Sequence, residues 1–209
     1  MKTVYLIRHG EVAFPGGVKR CISGTDLPLS PAGRAQGLAL RKYFEDIPLS
    51  GVYHSGLLRT KETAALLSPR AEEAAGLEEL GVGLWEGRTF QEIRTVFPEL
   101  YQKRGENPER YQIPGGEPLQ KCLDRVSRAL RTLLERTAGD FAVVAHAGAN
   151  RLLLCSMLEL PLRNFLTIPQ PYGCVNLIRA EADNFSVREV GLLPSPAEAI
   201  GGSYDAGID

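Results

Sequence analysis

The sequence predicts an α/β protein with three layers, α/β/α, in which helices cover both faces of a mostly parallel central sheet. First, short runs of β-branched, aromatic and other apolar residues alternate along the chain with amphipathic stretches. Second, the runs at residues 2–7 and 141–145 are almost continuously apolar, which is typical of strands buried on both faces. Third, 209 residues suffice for one well-buried domain over 1–209 and are too few for two ordinary ones.

Strands are predicted at six places from their short length, their apolar or β-branched composition and the turn residues beside them. In chain order they cover residues 2–7, 51–54, 71–76, 141–145, 174–179 and 185–190. The third is expected at an edge of the sheet. The last two are expected to form a hairpin around Asp183-Asn184.

Helices are predicted between the strands from N-capping residues and from apolar residues spaced about 3.6 apart. They cover residues 30–44, 55–67, 89–97, 119–136 and 150–158. Ser30 is expected to cap the first helix, with Pro31 in its first turn, and Ser55 to cap the second. The residues expected on the apolar sides of the first and fourth helices are Leu38, Leu40 and Phe44, and Cys122, Val126, Ala129, Leu130 and Leu133.

The remaining segments are rich in glycine, proline or charge and are expected to be loops. They include residues 10–31 and 79–88, and the polar segment 98–118 is expected to be irregular. An irregular excursion at about 88–117 therefore stands apart from the main layers. The tail at 194–209 is expected to be poorly ordered.

The composition favours a globular protein in water and gives no sign of nucleic acid or a membrane as partner. Hydrophobic residues make up 44%, charged residues 23%, and the net charge is −1. No apolar run approaches the ~20 residues of a membrane span, and no signal peptide is recognised. Four cysteines occur without CxxC spacing, and pairing among them stays open. Reduced cysteines and a cytoplasmic location are the expectation.

Two of the three histidines directly follow predicted buried strands. His9 comes after the strand at 2–7, and His146 comes after the strand at 141–145. Because the carboxyl ends of parallel strands meet at one edge of a sheet, both imidazoles are expected in one crevice. Arg8, and Arg59 in the first turn of the second helix, would make this crevice cationic. Arginine offers a planar fork of donors that matches phosphate oxygens, so a phosphate site is predicted.

An ordered set of segments resembles the histidine phosphatase superfamily, which has the phosphoglycerate mutase-like fold. The similarity spans roughly residues 3–179, and the ordered set is far more specific than Arg-His-Gly alone. The segments are Arg8-His9-Gly10-Glu11, the Ser-x-Leu-x-Arg stretch at 55–59, the stretch at 77–87 that ends in Trp-Glu-Gly, Gly115-Gly116-Glu117, and the stretch around the second histidine at 143–148.

The resemblance implies a role for each matching position. His9 would be the nucleophile that forms a phosphohistidine, and Glu79 would be the proton donor. Arg8, Arg59 and His146 would hold the phosphoryl oxygens. The resemblance implies no metal and no cofactor, and a small phosphorylated metabolite as partner. Further contacts to phosphate or substrate would come from Gly10, Ser23, Gly24, Ala147 and Gly148.

Three features leave alternatives open around this set. Glu78 and Glu86 are rivals to Glu79 for the acid role, and Glu78 stands where the family commonly has arginine. The loop at 12–15 lacks the asparagine that many relatives use as an extra phosphate donor. His54 is expected near the rim of the site without taking part. The histidine spacing gives no HxxxH or HExxH motif that would indicate a metal site.

The chain most resembles the branch of the family that removes phosphate from α-ribazole 5'-phosphate. The short excursion, the Trp-Glu-Gly segment and residues 170–174 carry this resemblance, and Tyr101 and Tyr111 are candidate stacking partners for an aromatic base. A broad sugar-phosphate phosphatase, a cofactor-dependent phosphoglycerate mutase and a weakly catalytic regulatory protein are the alternatives. The mutase needs extra cations, and the excursion holds only scattered Arg88, Arg94, Lys103, Arg104 and Arg110. The sequence leaves the oligomeric state open.

Overall fold

A mixed sheet of six strands lies at the centre of the computed structural model, which describes residues 1–181 and 184–194. The strand order is β3-β2-β4-β1-β5-β6. The pairs β3/β2, β2/β4 and β4/β1 are parallel, whereas β1/β5 and β5/β6 are antiparallel, so the prediction of a mostly parallel sheet is confirmed. The strands are β1 (Lys2–Arg8), β2 (Gly51–His54), β3 (Glu72–Glu73), β4 (Phe141–Ala145), β5 (Val175–Glu181) and β6 (Asn184–Leu192).

Six α-helices and three short 3₁₀ turns connect these strands within the described residues. The 3₁₀ turns cover Pro15–Gly17, Gly83–Trp85 and Leu162–Thr167. The α-helices are α1 (Pro31–Tyr43), α2 (Leu58–Leu67), α3 (Phe90–Val96), α4 (Pro98–Glu106), α5 (Leu119–Arg136) and α6 (Ala147–Met157).

Successive side chains of β1 enter two different cores, because neighbouring residues of a strand point to opposite faces. Val4 and Leu6 pack in the larger core with apolar residues of α5 and α6. Tyr5 and Ile7 pack on the other face with Leu40 and other apolar residues of α1 and α2. The sheet is therefore covered on both sides, as the continuous apolar character of its central strands predicts.

The two central strands end level with each other, which positions the site. Arg8 of β1 is paired with Ala145 of β4, and the His9 N–H donates to the Ala145 carbonyl at 3.1 Å. His54, the last residue of β2, pairs with Val144. The residues that follow these strands therefore emerge together at the carboxyl edge of the parallel part of the sheet.

Helix starts agree with the sequence patterns at α1 and differ at α2 and α6. Ser30 caps α1 by accepting from Gly33 N at 3.0 Å. The N-cap of α2 is Leu57, so the expectation that Ser55 caps this helix is wrong. Helix α6 begins at Ala147, three residues before the predicted start, because its first N–H groups find an acceptor from elsewhere in the chain.

The excursion contains helices, which corrects the expectation that 98–118 is irregular. Residues Pro98–Glu106 form α4, with proline in the first turn. A small separate core of Trp85, Ile93 and Ile113 packs against aromatic and apolar residues of α3 and α4, which are Phe90, Phe97, Leu100 and Tyr101. The sequence pattern did not predict α4 because the helix has few apolar residues. Those residues are buried against Trp85, which lies outside the helix and is not part of its local pattern.

Smaller expectations have mixed outcomes. Leu40 and Phe44 are buried on α1, but Leu38 is 53% exposed and lies on the outer side. The edge strand predicted at 71–76 is present as β3. Asp183 of the expected hairpin turn and residues 195–209 of the expected tail lie outside the described residues. Within the described ranges, no helix has the length and apolarity needed to cross a bilayer.

Candidate active site

The end of β1 holds His9 in a defined tautomer. The side chain is 5% exposed, and its Nδ1 lies 2.7 Å from the carbonyl oxygen of Gly10. A carbonyl can only accept a hydrogen bond, so Nδ1 carries the ring proton. The other nitrogen, Nε2, therefore bears the lone pair that a nucleophile needs.

His146 follows β4 and lies beside His9. It is fully buried, and the centroids of the two rings are 5.2 Å apart. Its Nε2 lies 2.6 Å from Ser55 Oγ, and Ser55 is 3.0 Å from Thr60 Oγ1. The hydroxyl that sequence reasoning assigned to a helix cap therefore orients a histidine 91 residues away.

Both rings are neutral at physiological pH. Burial is the largest cause that lowers the pKa of His9 well below its usual value, and the charges of Arg8 and Arg59 add to it. Burial also lowers the pKa of His146 strongly, followed by the effects of His9 and Arg59. A neutral imidazole keeps its lone pair, so these cationic surroundings preserve the nucleophilic form of His9.

Arg59 is a buried cation in the first turn of α2 and is only 1% exposed. Its two terminal nitrogens donate to the main-chain carbonyls of Ser23 and Thr25 at 2.8 and 2.7 Å. Its guanidinium forms no ion pair with a carboxylate among the described residues. Burial is the largest influence on the pKa of Arg59 and lowers it, whereas the charges of Glu79, Asp26 and Glu86 raise it. Since burying a cation is costly, an anionic ligand that pairs directly with Arg59 is favoured.

Arg8 is held by the segment that precedes β5. Its guanidinium carbon lies 3.7 Å from the centroid of the Tyr172 ring, and Nη1 donates to the Gln170 carbonyl. Tyr172 also approaches His9, with ring centroids 5.6 Å apart. Tyr172 belongs to the segment 170–174, and the structure places it against both Arg8 and His9.

The site contains buried donors that have no acceptor in the protein. Within residues 1–181 and 184–194, five buried side-chain polar atoms have no hydrogen-bond partner. Three of them are Arg8 Nε, Arg59 Nε and His146 Nδ1. Buried polar groups are nearly always paired, and the two unpaired N–H groups of Arg8 and Arg59 fit the oxygens of a phosphoryl group.

The loop that carries Ser23 and Gly24 is tied to Glu86. The Glu86 carboxylate accepts from the main-chain N–H and the hydroxyl of Ser23 and of Thr25. Burial raises the pKa of Glu86, but these hydrogen bonds outweigh it, and the pKa is lowered overall. Glu86 is therefore ionised and holds the loop, which removes it as a rival for the acid. Gly24 is exposed beside it.

Glu79 lies at the N-terminus of α6, directly beyond His146. Its Oε2 accepts from Gly148 N at 3.2 Å, and Oε1 accepts from Ala149 N at 3.1 Å and from Leu80 N at 2.8 Å. The neighbouring rival, Glu78, instead pairs with Arg125 at 2.9 Å. The structure therefore brings Glu79, rather than Glu78 or Glu86, next to the histidines.

The small residues of the predicted site have specific packing roles. Gly10 N donates to Thr63 Oγ1 at 3.1 Å, and a Cβ at Gly10 would lie 2.5 Å from the Gly33 carbonyl oxygen. Ala147 is the half-buried first residue of α6. Gly148 binds Glu79 through its N–H, as described above. Position 10 therefore requires glycine because of its close packing against Gly33. Gly148 contributes its N–H to the contact with Glu79.

Sequence reasoning missed a buried amide network behind Arg8. The Asn176 side chain donates to the Leu6 carbonyl at 2.9 Å and to Gln170 Oε1 at 3.0 Å, and Asn150 also donates to Gln170. These amides are 0–2% exposed. In the sequence, only the polarity of these amide side chains within apolar segments could have indicated that they form a network.

The other polar side chains have plainer positions. His54 is buried at the end of β2 and accepts from Gly56 N through Nδ1. Cys21, Cys122, Cys155 and Cys174 are all free thiols. No group of three or more His, Cys, Asp or Glu side chains in the described part of the chain is arranged to hold a metal ion.

The sheet order, the two strand-end histidines and the buried arginines define a phosphate-binding α/β protein. The sequence model of the histidine phosphatase superfamily (branch 1) matches residues 4–192, so the chain belongs to this family. Fructose-2,6-bisphosphatases are among its relatives. The 6-phosphofructo-2-kinase/fructose-2,6-bisphosphatase 3 of Rattus norvegicus is 32% identical over 95% of this chain. The match covers 37% of that protein, so the chain spans well under half of its length.

Solved structures share the fold over nearly the whole chain. Bacillus stearothermophilus YhfR superposes with a TM-score of 0.83 at 27% identity, covering 90% of this chain and 95% of the other. The α-ribazole phosphatase of Shigella flexneri superposes with a TM-score of 0.79 at 24% identity, covering 94% of this chain and 100% of the other. At that identity the second likeness supports the fold alone. The predicted phosphoglycerate mutase-like fold is confirmed.

Proposed function

We propose that the chain is a metal-independent phosphomonoesterase that works by transferring the phosphoryl group of its substrate to Nε2 of His9. The observation that carries this proposal is the combination of a neutral, oriented His9 with the buried N–H groups of Arg8 and Arg59 that lack protein partners. The guanidinium groups of Arg8 and Arg59, with Nε of each free of a protein partner, match the need to neutralise phosphoryl oxygens. These groups provide the positive charge without a metal ion.

In the first step, Nε2 attacks phosphorus and the bond from phosphorus to the ester oxygen breaks. The cationic nitrogens of Arg8 and Arg59 stabilise the charge on the phosphoryl oxygens. The His146 ring lies beside His9 and is held in place by the hydrogen bond between its Nε2 and the Ser55 hydroxyl. The leaving alkoxide takes a proton from Glu79.

In the second step, Glu79 accepts a proton from water, and the oxygen of that water attacks the phosphohistidine. The phosphorus–nitrogen bond breaks, inorganic phosphate leaves, and His9 returns to its neutral form. Oε2 of Glu79 accepts a single N–H in the structure, so it retains a lone pair to carry the proton.

The substrate is a small phosphorylated sugar derivative in this proposal, and α-ribazole 5'-phosphate is the first candidate. The segment at 170–174, which resembles the α-ribazole branch, places Tyr172 beside His9 and Arg8. Tyr101, a candidate partner for the base, packs against Trp85 with ring centroids 6.0 Å apart. The fructose-2,6-bisphosphatase relatives favour sugar bisphosphates as the second candidate.

A phosphoglycerate mutase activity is disfavoured by the contacts of the cations in the excursion. Arg104 donates to the carbonyls of Pro108 and Tyr111, and Lys103 pairs with Glu99. The others, Arg88, Arg94 and Arg110, contact Leu84 or lie over aromatic rings. Within the described excursion, each cation therefore already has a contact in the protein.

The proposed activity is tested by phosphate release from α-ribazole 5'-phosphate, fructose 2,6-bisphosphate, 3-phosphoglycerate and p-nitrophenyl phosphate, all with EDTA present. Release from one of the sugar phosphates is expected. The His9→Ala variant is expected to lose it by about 10⁴-fold or more, since the nucleophile is gone. Phosphate release that survives in His9→Ala, or that requires added metal, would contradict the mechanism.

The acid role of Glu79 is tested by the leaving group. Glu79→Gln cannot donate a proton, so kcat/KM for an alkyl ester such as a sugar phosphate should fall by roughly 100-fold. The p-nitrophenolate ion leaves without a proton, so kcat/KM for p-nitrophenyl phosphate should fall much less. Equal losses on the two substrates would exclude Glu79 as the acid.

A further inference from the structure

We propose that Arg125 is a positioning residue that holds Glu79 in reach of the substrate, through a bidentate pair with Glu117. The proposal rests on the proposed acid role of Glu79 and adds two residues to that site. Arg125 lies on α5, and Glu117 lies in the turn before this helix. The hydrogen bonds of Arg125 go to Glu117, to Cys122 and to the segment that carries Glu79, although its charge also contributes to lowering the pKa of His146.

The guanidinium of Arg125 binds the main chain of the segment that leads up to and includes Glu79. Its Nη1 donates to the carbonyls of Gly76 and Glu78 at 3.1 and 3.0 Å. Its Nη2 lies 3.4 Å from the carbonyl of Glu79 itself. One side chain thus contacts three carbonyls within four residues of the loop that carries the acid.

Glu117 orients this guanidinium and also binds the loop directly. Its two carboxylate oxygens accept from Nε and Nη2 of Arg125 at 3.1 and 2.7 Å, a fork-to-fork pair with a fixed orientation. Its main-chain N–H donates to the Gly81 carbonyl at 2.9 Å. The Glu117 side chain is 16% exposed and that of Arg125 is 23% exposed, so solvent screens the pair only in part.

The loop depends on these contacts because it has no regular secondary structure of its own. Residues 77–82 belong to no helix or strand, so no ladder of main-chain hydrogen bonds determines the position of Glu79. Its carboxylate is held by the N–H groups of Gly148 and Ala149 on α6. Its main chain is held by Arg125 on α5, and the two helices together orient the acid.

The charges of the cluster favour this arrangement. Glu78 Oε2 also lies 2.9 Å from Arg125, so one cation meets two carboxylates. Glu78 Oε1 accepts from Gly76 N at 3.0 Å, which closes the turn before Glu79. The glutamate that stands where the family commonly has arginine therefore pairs with Arg125.

The test compares Arg125→Ala with Arg128→Ala, a matched control that removes the same charge from an exposed position on the same helix. kcat and KM are measured for a sugar phosphate and for p-nitrophenyl phosphate. Arg125→Ala is expected to lower kcat/KM for the sugar phosphate by roughly 10- to 100-fold, with a much smaller loss of kcat/KM for p-nitrophenyl phosphate. Arg128→Ala should change neither substrate. Equal losses on both substrates in Arg125→Ala would overturn the proposal.

A double-mutant cycle with Glu79→Gln isolates the coupling. If Arg125 acts only through Glu79, Arg125→Ala causes no further loss on the sugar phosphate once glutamine replaces the acid. Additive losses would overturn the proposal. If Glu79→Gln loses activity mainly on the sugar phosphate but Arg125→Ala loses it equally on both substrates, only the positioning role of Arg125 is refuted. If Glu79→Gln itself loses activity equally on both substrates, the acid role of Glu79 is refuted.

Glu117→Gln serves if Arg125→Ala does not fold. Glutamine keeps the shape of the side chain and one acceptor oxygen but loses the charge and the bidentate pair. The same selective loss on the sugar phosphate is expected, and Arg125→Lys should restore only part of the wild-type rate. Wild-type kinetics in Glu117→Gln would contradict the role of the pair.

Discussion

At Gly148 the absence of a Cβ permits the contact between the Glu79 carboxylate and the first turn of α6. A Cβ at this position would lie 2.6 Å from Glu79 Oε1 and 3.0 Å from the Leu80 Cβ. Its φ is not in the left-handed region, so the requirement for glycine comes from the neighbouring carboxylate. Residue 148 therefore contributes to the site through the space that it leaves for Glu79.

Gly148→Ala should separate activity from stability. The added methyl group displaces the Glu79 carboxylate, so kcat/KM for a sugar phosphate should fall roughly as in Glu79→Gln, by about 100-fold. Alanine is favoured over glycine inside a helix by up to about 1 kcal/mol. This gain offsets the steric cost of the added methyl group, so the melting temperature should stay close to that of the wild type. The measurements are kinetics and thermal unfolding of this variant.

Gly105→Ala on α4 is the control, because a Cβ there meets no atom within 4 Å. It should leave both kinetic constants unchanged. If Gly148→Ala keeps full activity on the sugar phosphate, Glu79 does not require its observed position.

At the scale of elements, helix ends depend on partners that are distant in the sequence. Helix α6 starts at Ala147 because Glu79, which is 69 residues before Gly148, accepts from its first turn. Helix α4 forms because Tyr101 and its neighbours bury against Trp85. In both cases tertiary contacts extend helical structure beyond what the local pattern predicts.

At the scale of the whole molecule, the sheet order concentrates the histidines in one buried region. Strands β2, β4 and β1 are adjacent, and His54, His146 and His9 stand at or directly after their ends. All three rings are at most 5% exposed. Burial is the largest cause that lowers the pKa of each one, so the folded chain keeps them neutral.

Acid should therefore destabilise the fold from about pH 6.5 downward. Histidines in the unfolded chain bind protons below about 6.5 while those in the folded chain do not, so the unfolded state binds more protons. Each histidine adds a slope of up to about 1.4 kcal/mol per pH unit to the loss of stability. The free energy of unfolding by urea should be constant near pH 8 and decline between pH 6.5 and 5.5.

His146→Gln should reduce the pH dependence of the free energy of unfolding by the contribution of one histidine, up to about 1.4 kcal/mol per pH unit. A free energy of unfolding that does not change between pH 7.5 and 5.5 would show that the rings titrate normally in the fold.

Local patterns accounted for most of the fold and for the residues of the candidate site. Strands such as β1 and β4 are apolar because both of their faces are covered, and that composition is visible without any partner. The cap at Ser30 is equally local, since it spans three residues. The prediction that Ser55 caps α2 was wrong, because the Ser55 hydroxyl is hydrogen-bonded to His146, 91 residues away. The prediction that Leu38 lies on the apolar side of α1 was wrong, because helical spacing alone does not tell which flank of a helix faces the sheet.

The sequence by itself determined the layered α/β class, the strand-end positions of His9 and His146, and the cationic character of the site. These follow from the alternation of apolar runs and from residue types at motif positions. Only the tertiary structure decided the tautomer of His9, the different partners of Glu79, Glu78 and Glu86, and the contacts of Arg125 with the segment that carries Glu79. Those features depend on hydrogen bonds between segments distant in the chain, which form only when packing brings the segments together.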